Sequence, residues 1–547
     1  MQQMDYTACY ADFRWDGFCD ELFDWNWKEM FNIAYAAVDR NARDRESTAI
    51  YHVRRDLGVD RLTFAELKTL TNQFAHVLAE LGLAKGDRVA RLMPRVPEAY
   101  IGFLGTWKAG MVDVPLYTAF GRDAVAYRIK DCGAKALITD NAGFEKIKPV
   151  LSSLPDLSII ITDSSETALS ENMCFDYRLL MAEADGSDPE ITTTLNDPAL
   201  LVYTSGTTGP PKGTTILHKG VISVLPYARY CLDVHKDEMY WGFADPGWTY
   251  GLLSAGSAVM ALGRGLVVFE PRFEAESWYK TVINLGITNF TAAPTAFRAI
   301  MAADQDLLSK YKPVFRYLSS AGEPLNPEVI HWFEANFGVP IRDMYGITEV
   351  SMVIGNNPTF KIKPGSCGKP IPGFNVKLKD ENSGTPAEYQ VGSICVEQND
   401  HFISSCYWGQ EEKYRNNFVD EKWFDTGDLA YRDEEGYYFF VGRKDDVISS
   451  SGYRIGPFEV ENCIIEHPAV AECAVIGKPD ALRGEIVKAF VVLKNGVAAN
   501  NELKEEIKEL SRTKLSKHNY PREIDFIDEL PKTSSGKIQR RILRGIA

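Results

Sequence analysis

One run of the chain, Tyr203-Thr-Ser-Gly-Thr-Thr-Gly-Pro-Pro-Lys-Gly213, gathers what is needed to hold a phosphate. Gly206, Gly209 and Gly213 let the backbone approach a ligand closely and turn N–H groups toward it. Thr204, Ser205, Thr207 and Thr208 add hydroxyl donors, and Lys212 adds a cation. Donors and cations aimed at phosphate oxygens stabilise the charge that develops during phosphoryl and nucleotidyl transfer. The run departs from the P-loop pattern Gly-x-x-x-x-Gly-Lys-Ser/Thr, because Thr214 comes one residue too late. Its composition also suits an ordinary surface loop. Further charged candidates are Glu349, Asp428, Arg443, Arg454 and Lys537, and each alone also reads as a cap, a turn or a surface charge. His218 reads as a satisfied core histidine, and His467 as a lone histidine that is weak evidence for a cation.

Such groups act together only if regular elements hold them. The loop directly follows an apolar strand, Ala199–Tyr203. Thr63 and Glu66 have capping-box spacing, so a helix starts there, and Leu67, Leu70, Phe74, Leu78 and Leu81 give it one apolar face. Gly82 stops it. Strand-like runs at Val89–Met93 and Val112–Leu116 flank a helical pattern at Pro97–Ala109, and strand–helix–strand order argues a mostly parallel, helix-covered sheet. Gly365 to Val396 carries shorter strands with Gly and Pro turns, closer to an antiparallel β unit. The expected fold class is therefore α/β. A large, multi-subdomain N-terminal body over 1–442 holds parallel sheets plus a small β unit. A hinge at 443–446 leads to a small, mobile α+β C-terminal domain over 447–547.

With 547 residues, one core is not enough, and two to four domains or subdomains follow. The net charge of −15 does not suit a nucleic-acid partner. From Arg443 onward, 18 Lys/Arg face 16 Asp/Glu, whereas 42 face 59 before it. Beyond Pro531 there are Lys532, Lys537, Arg540, Arg541 and Arg544 and no acid, which fits a solvated basic end or a unit that handles a phosphorylated ligand. Ten scattered cysteines without zinc or Cys-x-x-Cys spacing fit a reducing, cytoplasmic setting. Asp5 precedes any Lys or Arg, so no signal peptide is expected. The uncharged run Pro246–Gly263 is broken by Gly, Ser and Pro, and is expected to be a buried segment rather than a membrane span.

The loop at 203–213 resembles the phosphate loop of the ANL superfamily of adenylate-forming enzymes, and the family's other motifs follow in order. Ala321-Gly-Glu-Pro324 is similar to its adenine-contacting turn, and Tyr345-Gly-Ile-Thr-Glu349 to its nucleotide and metal motif. Trp423-Phe-Asp-Thr-Gly-Asp428 is similar to its ribose motif, and Gly442-Arg-Lys-Asp-Asp-Val-Ile448 to its hinge. Ser451-Gly-Tyr-Arg-Ile-Gly456 is similar to its CoA-facing loop, and Pro531-Lys-Thr-Ser-Ser-Gly-Lys537 to its catalytic lysine segment. The resemblance covers residues 20–545 and points to the acyl-CoA synthetase branch.

The resemblance implies an ATP-dependent ligase that joins a carboxylic acid to AMP and then to CoA, with Mg²⁺ as the metal. The ATP-binding set would be Thr204, Ser205, Gly206, Thr207, Thr208, Gly209, Lys212, Gly322, Glu323, Pro324, Asp343, Met344, Tyr345, Gly346, Ile347, Thr348, Asp428, Arg443, Arg454 and Lys537. Lys537, Thr348 and Glu349 would be catalytic, and Glu349 would hold the metal. Ser451, Gly452, Tyr453, Arg483, Arg512 and Tyr520 would meet CoA, and Asp445 would be the hinge residue. Trp248, Tyr345 and Gly346 would line the acyl pocket. Relatives that use acetate carry Trp where this chain has Gly346. The glycine is therefore expected to leave room for an acid larger than acetate: short- or medium-chain, branched or aryl. Ile347 departs from the usual Gln. An acetate or propionate ligase and a stand-alone enzyme that loads a separate carrier protein are the alternatives; ten residues follow Lys537, so no fused carrier is expected. The partners would be small molecules, without nucleic acid or a membrane span, in a monomer or a homodimer.

Overall fold

The computed structural model of the protein describes residues 5–162, 173–204, 210–303, 305–380, 390–401, 404–450, 453–480, 483–515, 519–533 and 537–547. Its largest sheet has eight strands in the order Ser404–Tyr407, Lys212–Leu217, Pro198–Thr204, Val112–Pro115, Arg88–Leu92, Ala136–Thr139, Ile159–Thr162 and Cys174–Asp176. From Pro198–Thr204 through Cys174–Asp176 the neighbours run parallel. The strands Val112–Pro115, Ala136–Thr139 and Ile159–Thr162 are buried along their whole length, as strands covered on both faces are. One of those helices is Phe64–Glu80. Thr63 Oγ1 accepts from Glu66 N–H at 3.2 Å, and Glu66 Oε2 accepts from Thr63 N–H at 2.8 Å, so the expected capping box is present.

A second, six-stranded sheet runs parallel through Met239–Phe243, Ile287–Ala292, Tyr317–Ala321 and Ile341–Ile347, then turns antiparallel at Ser351–Gly355. The small β unit is a third sheet, antiparallel throughout, and contains Trp423–Arg432 and Tyr438–Arg443. Arg443 closes that last strand and pairs with Asp428, so the charged run expected to be a linker begins inside the sheet. The turn itself is Lys444–Asp446. Beyond it, a further sheet and the helices Pro457–Ile465 and Asn501–Lys514 enclose their own core of Ile448, Val460, Val475, Val491 and Ile507.

Two features tie distant parts of the body together. Arg91 and Asp113, 1% and 0% exposed, form a bidentate pair at 3.0 Å inside the eight-stranded sheet. Arg91 Nη2 also donates to Pro246 O at 3.1 Å, which fastens the turn that carries Trp248. At the N-terminus, the helices Tyr6–Asp12 and Trp15–Leu22 lie against the turn before Val376–Lys379. Tyr6 Oη donates to Pro370 O at 2.8 Å, Tyr10 Oη to Phe374 O at 2.9 Å and Trp15 Nε1 to Gly373 O at 3.2 Å. The uncharged run after Pro246 is the buried helical segment Tyr250–Ala261. Among the described residues no helix is long and apolar enough to cross a membrane.

Candidate functional site

Asp428 anchors the site. It sits on Trp423–Arg432 at 4% exposure, where its Oδ2 accepts from Tyr345 Oη at 2.8 Å. Arg443 Nε lies 3.3 Å from Oδ1 as an ion pair, yet Oδ1 receives no hydrogen bond among the described residues. A buried acceptor without a donor costs free energy unless a ligand supplies one. A ribose hydroxyl is a donor of the right kind. Burial raises the Asp428 carboxyl above its usual range, and the charges of Arg443 and Lys537 oppose the rise. The charge of Lys537, near the far end of the chain, is felt at this carboxylate. Lys537 N donates to Thr533 Oγ1 at 3.1 Å and Thr533 N to Lys537 O at 2.7 Å. The ammonium is exposed.

A second group forms around Glu349. The turn Thr348–Val350 links Ile341–Ile347 to Ser351–Gly355, and Ser351 holds φ at +76°, a conformation unusual for a residue with a side chain. Glu349 Oε1 accepts from Tyr407 Oη at 3.0 Å, and Glu349 O accepts from Ser404 Oγ at 2.7 Å. Lys212 Nζ lies 4.8 Å from the centre of the Tyr407 ring. Burial lowers the Lys212 ammonium, with Lys413 and Arg443 adding to the effect and Glu349 opposing it, so the cation is held where an anion would be welcome. Burial raises the Glu349 carboxyl against Arg443 and Lys212. Tyr407 thus links Lys212, at the end of the loop, to the Glu349 carboxylate. No sequence motif pointed to it, because its role depends on Ser404–Tyr407 pairing with the distant strand Lys212–Leu217.

The loop itself differs from a strand-to-helix phosphate loop. It connects antiparallel strands, with Thr204 opposite Lys212 and Tyr203 opposite Gly213. Thr204 and Lys212 flank it, while Ser205, Gly206, Thr207, Thr208 and Gly209 lie outside the described residues. The turn at Gly322–Pro324 follows the strand Tyr317–Ala321, and Gly322 has φ +95°, which side-chain-bearing residues rarely adopt. Its Glu323 is held by Thr295 Oγ1 at 2.8 and 3.0 Å and by Arg298 Nη2 at 3.0 Å. Asp343 and Met344, expected to meet ATP, are 5% and 2% exposed inside the six-stranded sheet. The Asp343 carboxylate turns back to its neighbour, accepting from Met344 N at 3.0 Å, and burial pushes its pKa from 3.8 up to about 8. Ile347 packs its apolar side chain against the main core.

Gly346 corrects an expectation. A Cβ built there would lie 2.3 Å from Ser351 O and 2.7 Å from Met352 Cα, inside the backbone of the neighbouring strand. The missing side chain therefore opens no acyl space in that direction; the glycine is needed for two strands to approach. The wall at Trp248 is aromatic, with the Tyr117 and Phe120 rings each 5.9 Å away, centre to centre.

The CoA candidates are spread over several elements. Ser451 and Gly452 lie outside the described residues. Tyr453 and Arg454 belong to the short strand Tyr453–Ile455. Arg483 is exposed just before Gly484–Leu493, its N–H donating to Asp480 Oδ1 at 2.9 Å. Arg512 and Tyr520 come together, with the guanidinium 5.0 Å from the ring, and Arg522 covers the same ring at 4.1 Å. Asp445 is exposed in the hinge turn. Arg544 Nη2 donates to Asp445 O at 3.1 Å and to Asp446 Oδ1 at 2.8 Å. His218 is buried, accepts from Ile33 N–H at 3.2 Å through Nδ1, and is pushed down to about 3, a neutral core histidine. His467 accepts from Ala469 N–H at 3.2 Å, and no group of three or more His, Cys, Asp or Glu suited to a metal occurs among the described residues.

Residues 38–408 match the family model described as AMP-binding enzyme, and residues 459–537 that described as AMP-binding enzyme C-terminal domain. Among curated proteins, an acetyl-coenzyme A synthetase of Bacillus subtilis is 41% identical over 520 residues, covering 94% of this chain and 90% of the relative. A 4-hydroxybutyrate–CoA ligase of Metallosphaera sedula is 39% identical, covering 88% and 84%. Among solved structures, a Brucella canis acyl-CoA synthetase superposes with a TM-score of 0.78 at 36% identity, over 99% of this chain and 98% of that one.

Proposed function

The chain belongs to the AMP-binding enzyme family and is an AMP-forming acid–CoA ligase, and from that premise we propose that its acid is larger than acetate: short- or medium-chain, branched or aryl. A carboxylate is a poor electrophile because its leaving group would be oxide. Attack of a carboxylate oxygen on the α-phosphorus of ATP releases pyrophosphate and gives the acyl-adenylate. The CoA sulfur then adds to the acyl carbon, the C–O bond to AMP breaks, and the thioester forms.

In this reading Asp428 and Arg443 take the ribose hydroxyls, and the residues flanking the loop, Thr204 and Lys212, face the pyrophosphate end. Lys537 supplies positive charge to the reacting oxygens. Glu349 would hold Mg²⁺. One carboxylate suits a cation that commonly binds one or two carboxylates together with substrate phosphates, and the bound ion would neutralise phosphate charge. Tyr407 would keep the Glu349 carboxylate oriented. Trp248, with Tyr117 and Phe120 behind it, gives the acid an aromatic wall, which favours apolar and aryl acids. Ten cysteines, none in a disulfide among the described residues, fit a reducing cytosol.

The observation that carries the acid class is the aromatic wall at Trp248, with the Tyr117 and Phe120 rings each 5.9 Å from it. The nucleotide half of the reading is supported by the buried Asp428, whose Oδ1 has no donor among the described residues, under the charges of Arg443 and Lys537. The test is ATP–pyrophosphate exchange over a panel of straight-chain, branched and aryl acids, with thioester measured with and without CoA. Exchange with the larger acids and CoA-dependent product are expected. Preference for acetate overturns the proposed acid class, and activity only with a carrier protein overturns the proposed acceptor.

A further inference from the structure

Asn326 occupies the first cap position of the helix Pro327–Phe337. An asparagine there ordinarily accepts from an early helix N–H, but this side chain makes no cap hydrogen bond. Its Oδ1 accepts from Arg298 Nη1 at 3.4 Å, and its Nδ2 donates to Asn462 Oδ1. Asn462 lies beyond the hinge turn, on the helix Pro457–Ile465. Arg298 in turn donates through Nη2 to Glu323 Oε2 at 3.0 Å and to Thr295 Oγ1 at 2.9 Å. Thr295 Oγ1 is also hydrogen-bonded to the Glu323 carboxylate. A continuous line of polar contacts therefore runs from a helix of the C-terminal region to the carboxylate beside Gly322.

We propose that Asn326 and Asn462 couple docking of the C-terminal domain to the nucleotide turn, acting as positioning residues for ATP. The proposal rests on the reading that Gly322–Pro324 meets adenine and that the C-terminal domain turns about Lys444–Asp446. With the domain docked, Asn326 is only 4% exposed and its amide is held from both sides, by Arg298 and by Asn462. Departure of Asn462 exchanges one of those partners for water and frees the amide to turn, so Arg298 and Glu323 lose part of the arrangement that fixes the turn. Coupling of this kind is reciprocal: a nucleotide that orders Glu323 favours the docked domain, and a domain that swings away loosens the nucleotide. The same contact that helps hold ATP for the first half-reaction is given up in the second, when AMP has to leave.

The test is equilibrium binding of ATP to the full chain by calorimetry, without any acid. Asn462→Ala is expected to weaken ATP about three- to tenfold, the range a single hydrogen bond spans. Asn462→Asp keeps the accepting oxygen and is expected to restore near-normal affinity. Because one line of contacts is involved, Asn462→Ala combined with Arg298→Ala should bind ATP no more weakly than Arg298→Ala alone. Unchanged ATP affinity in Asn462→Ala, with or without a lower melting temperature, makes the pair a packing contact and overturns the proposal. So do losses that simply add. Asn462 is half-buried at the domain contact rather than in a core, so its variants should fold. Because this binding needs no acid, it decides the coupling even if the acid panel overturns the acyl-CoA reading.

Discussion

Lys537 is an exposed side chain whose charge acts on the buried Asp428 carboxylate of the strand Trp423–Arg432. If it serves the α-phosphate, Lys537→Ala should slow acyl-adenylate formation by ~10²–10³, a usual loss for one positioned charge. Conversion of supplied acyl-AMP to thioester should be spared; equal damage to both half-reactions would remove the role. Asp343 makes a different prediction. Its folded pKa of about 8 stands above the ordinary 3.8, so the folded state keeps a proton that the unfolded state has lost. The stability it contributes is full below pH ~4 and falls as pH rises toward ~8. Asp343→Asn resembles the protonated form and should flatten that decline. The difference in melting temperature between the two proteins should widen from pH 4.5 to 8, and parallel profiles would contradict the burial argument. Asp428, Arg443, Glu349 and Lys537 could be put forward from the sequence because the proposed chemistry requires those types inside recognisable strings. Tyr407 was not, since its hydroxyl matters only after two strands far apart in the chain are paired.

Among the elements, the hairpin of Ile341–Ile347 and Ser351–Gly355 reverses a sequence inference. Gly346 leaves volume vacant for an acid only if a Cβ there would point toward the acid. It points instead into the partner strand's backbone. Gly346→Ala should therefore cost ~1–3 kcal/mol, as overpacking does, and should depress kcat/KM for every acid alike because Thr348 and Glu349 follow directly. A selective loss of larger acids would restore the pocket reading. The local code elsewhere was explicit: Thr63 and Glu66 specify their capping box, and apolar periodicity specifies the helix after it. Composition could suggest a phosphate-type loop at 203–213 but not a link between antiparallel strands, because it carries no information about the direction in which the chain returns.

For the molecule as a whole, both ends of the hinge turn are held. Arg443 is paired in a strand of the β unit, while Arg544 grips Asp445 and Asp446 from the last helix. If the C-terminal region turns about Lys444–Asp446, these contacts would confine the rotation to a few bonds there. Asp445→Pro fixes φ there and keeps Lys444 from the helical region. The two half-reactions should then part company, one retained and the other suppressed. Parallel retention or parallel loss would rule out the hinge. The large body and the small domain were legible from length, charge and a glycine-marked boundary, whereas the contact between Asn326 and Asn462 was not, because it arises only when the two meet. The N-terminal helices carry a consequence of another sort. Tyr6, Tyr10 and Trp15 find their acceptors at Pro370–Phe374, so during synthesis the first segment emerges long before its docking site exists. At ~5–20 residues per second, the wait is roughly 20–70 s. Through that interval a cluster of aromatic rings stays uncovered on the nascent chain, so the first residues to be made are not the first to be fixed in place.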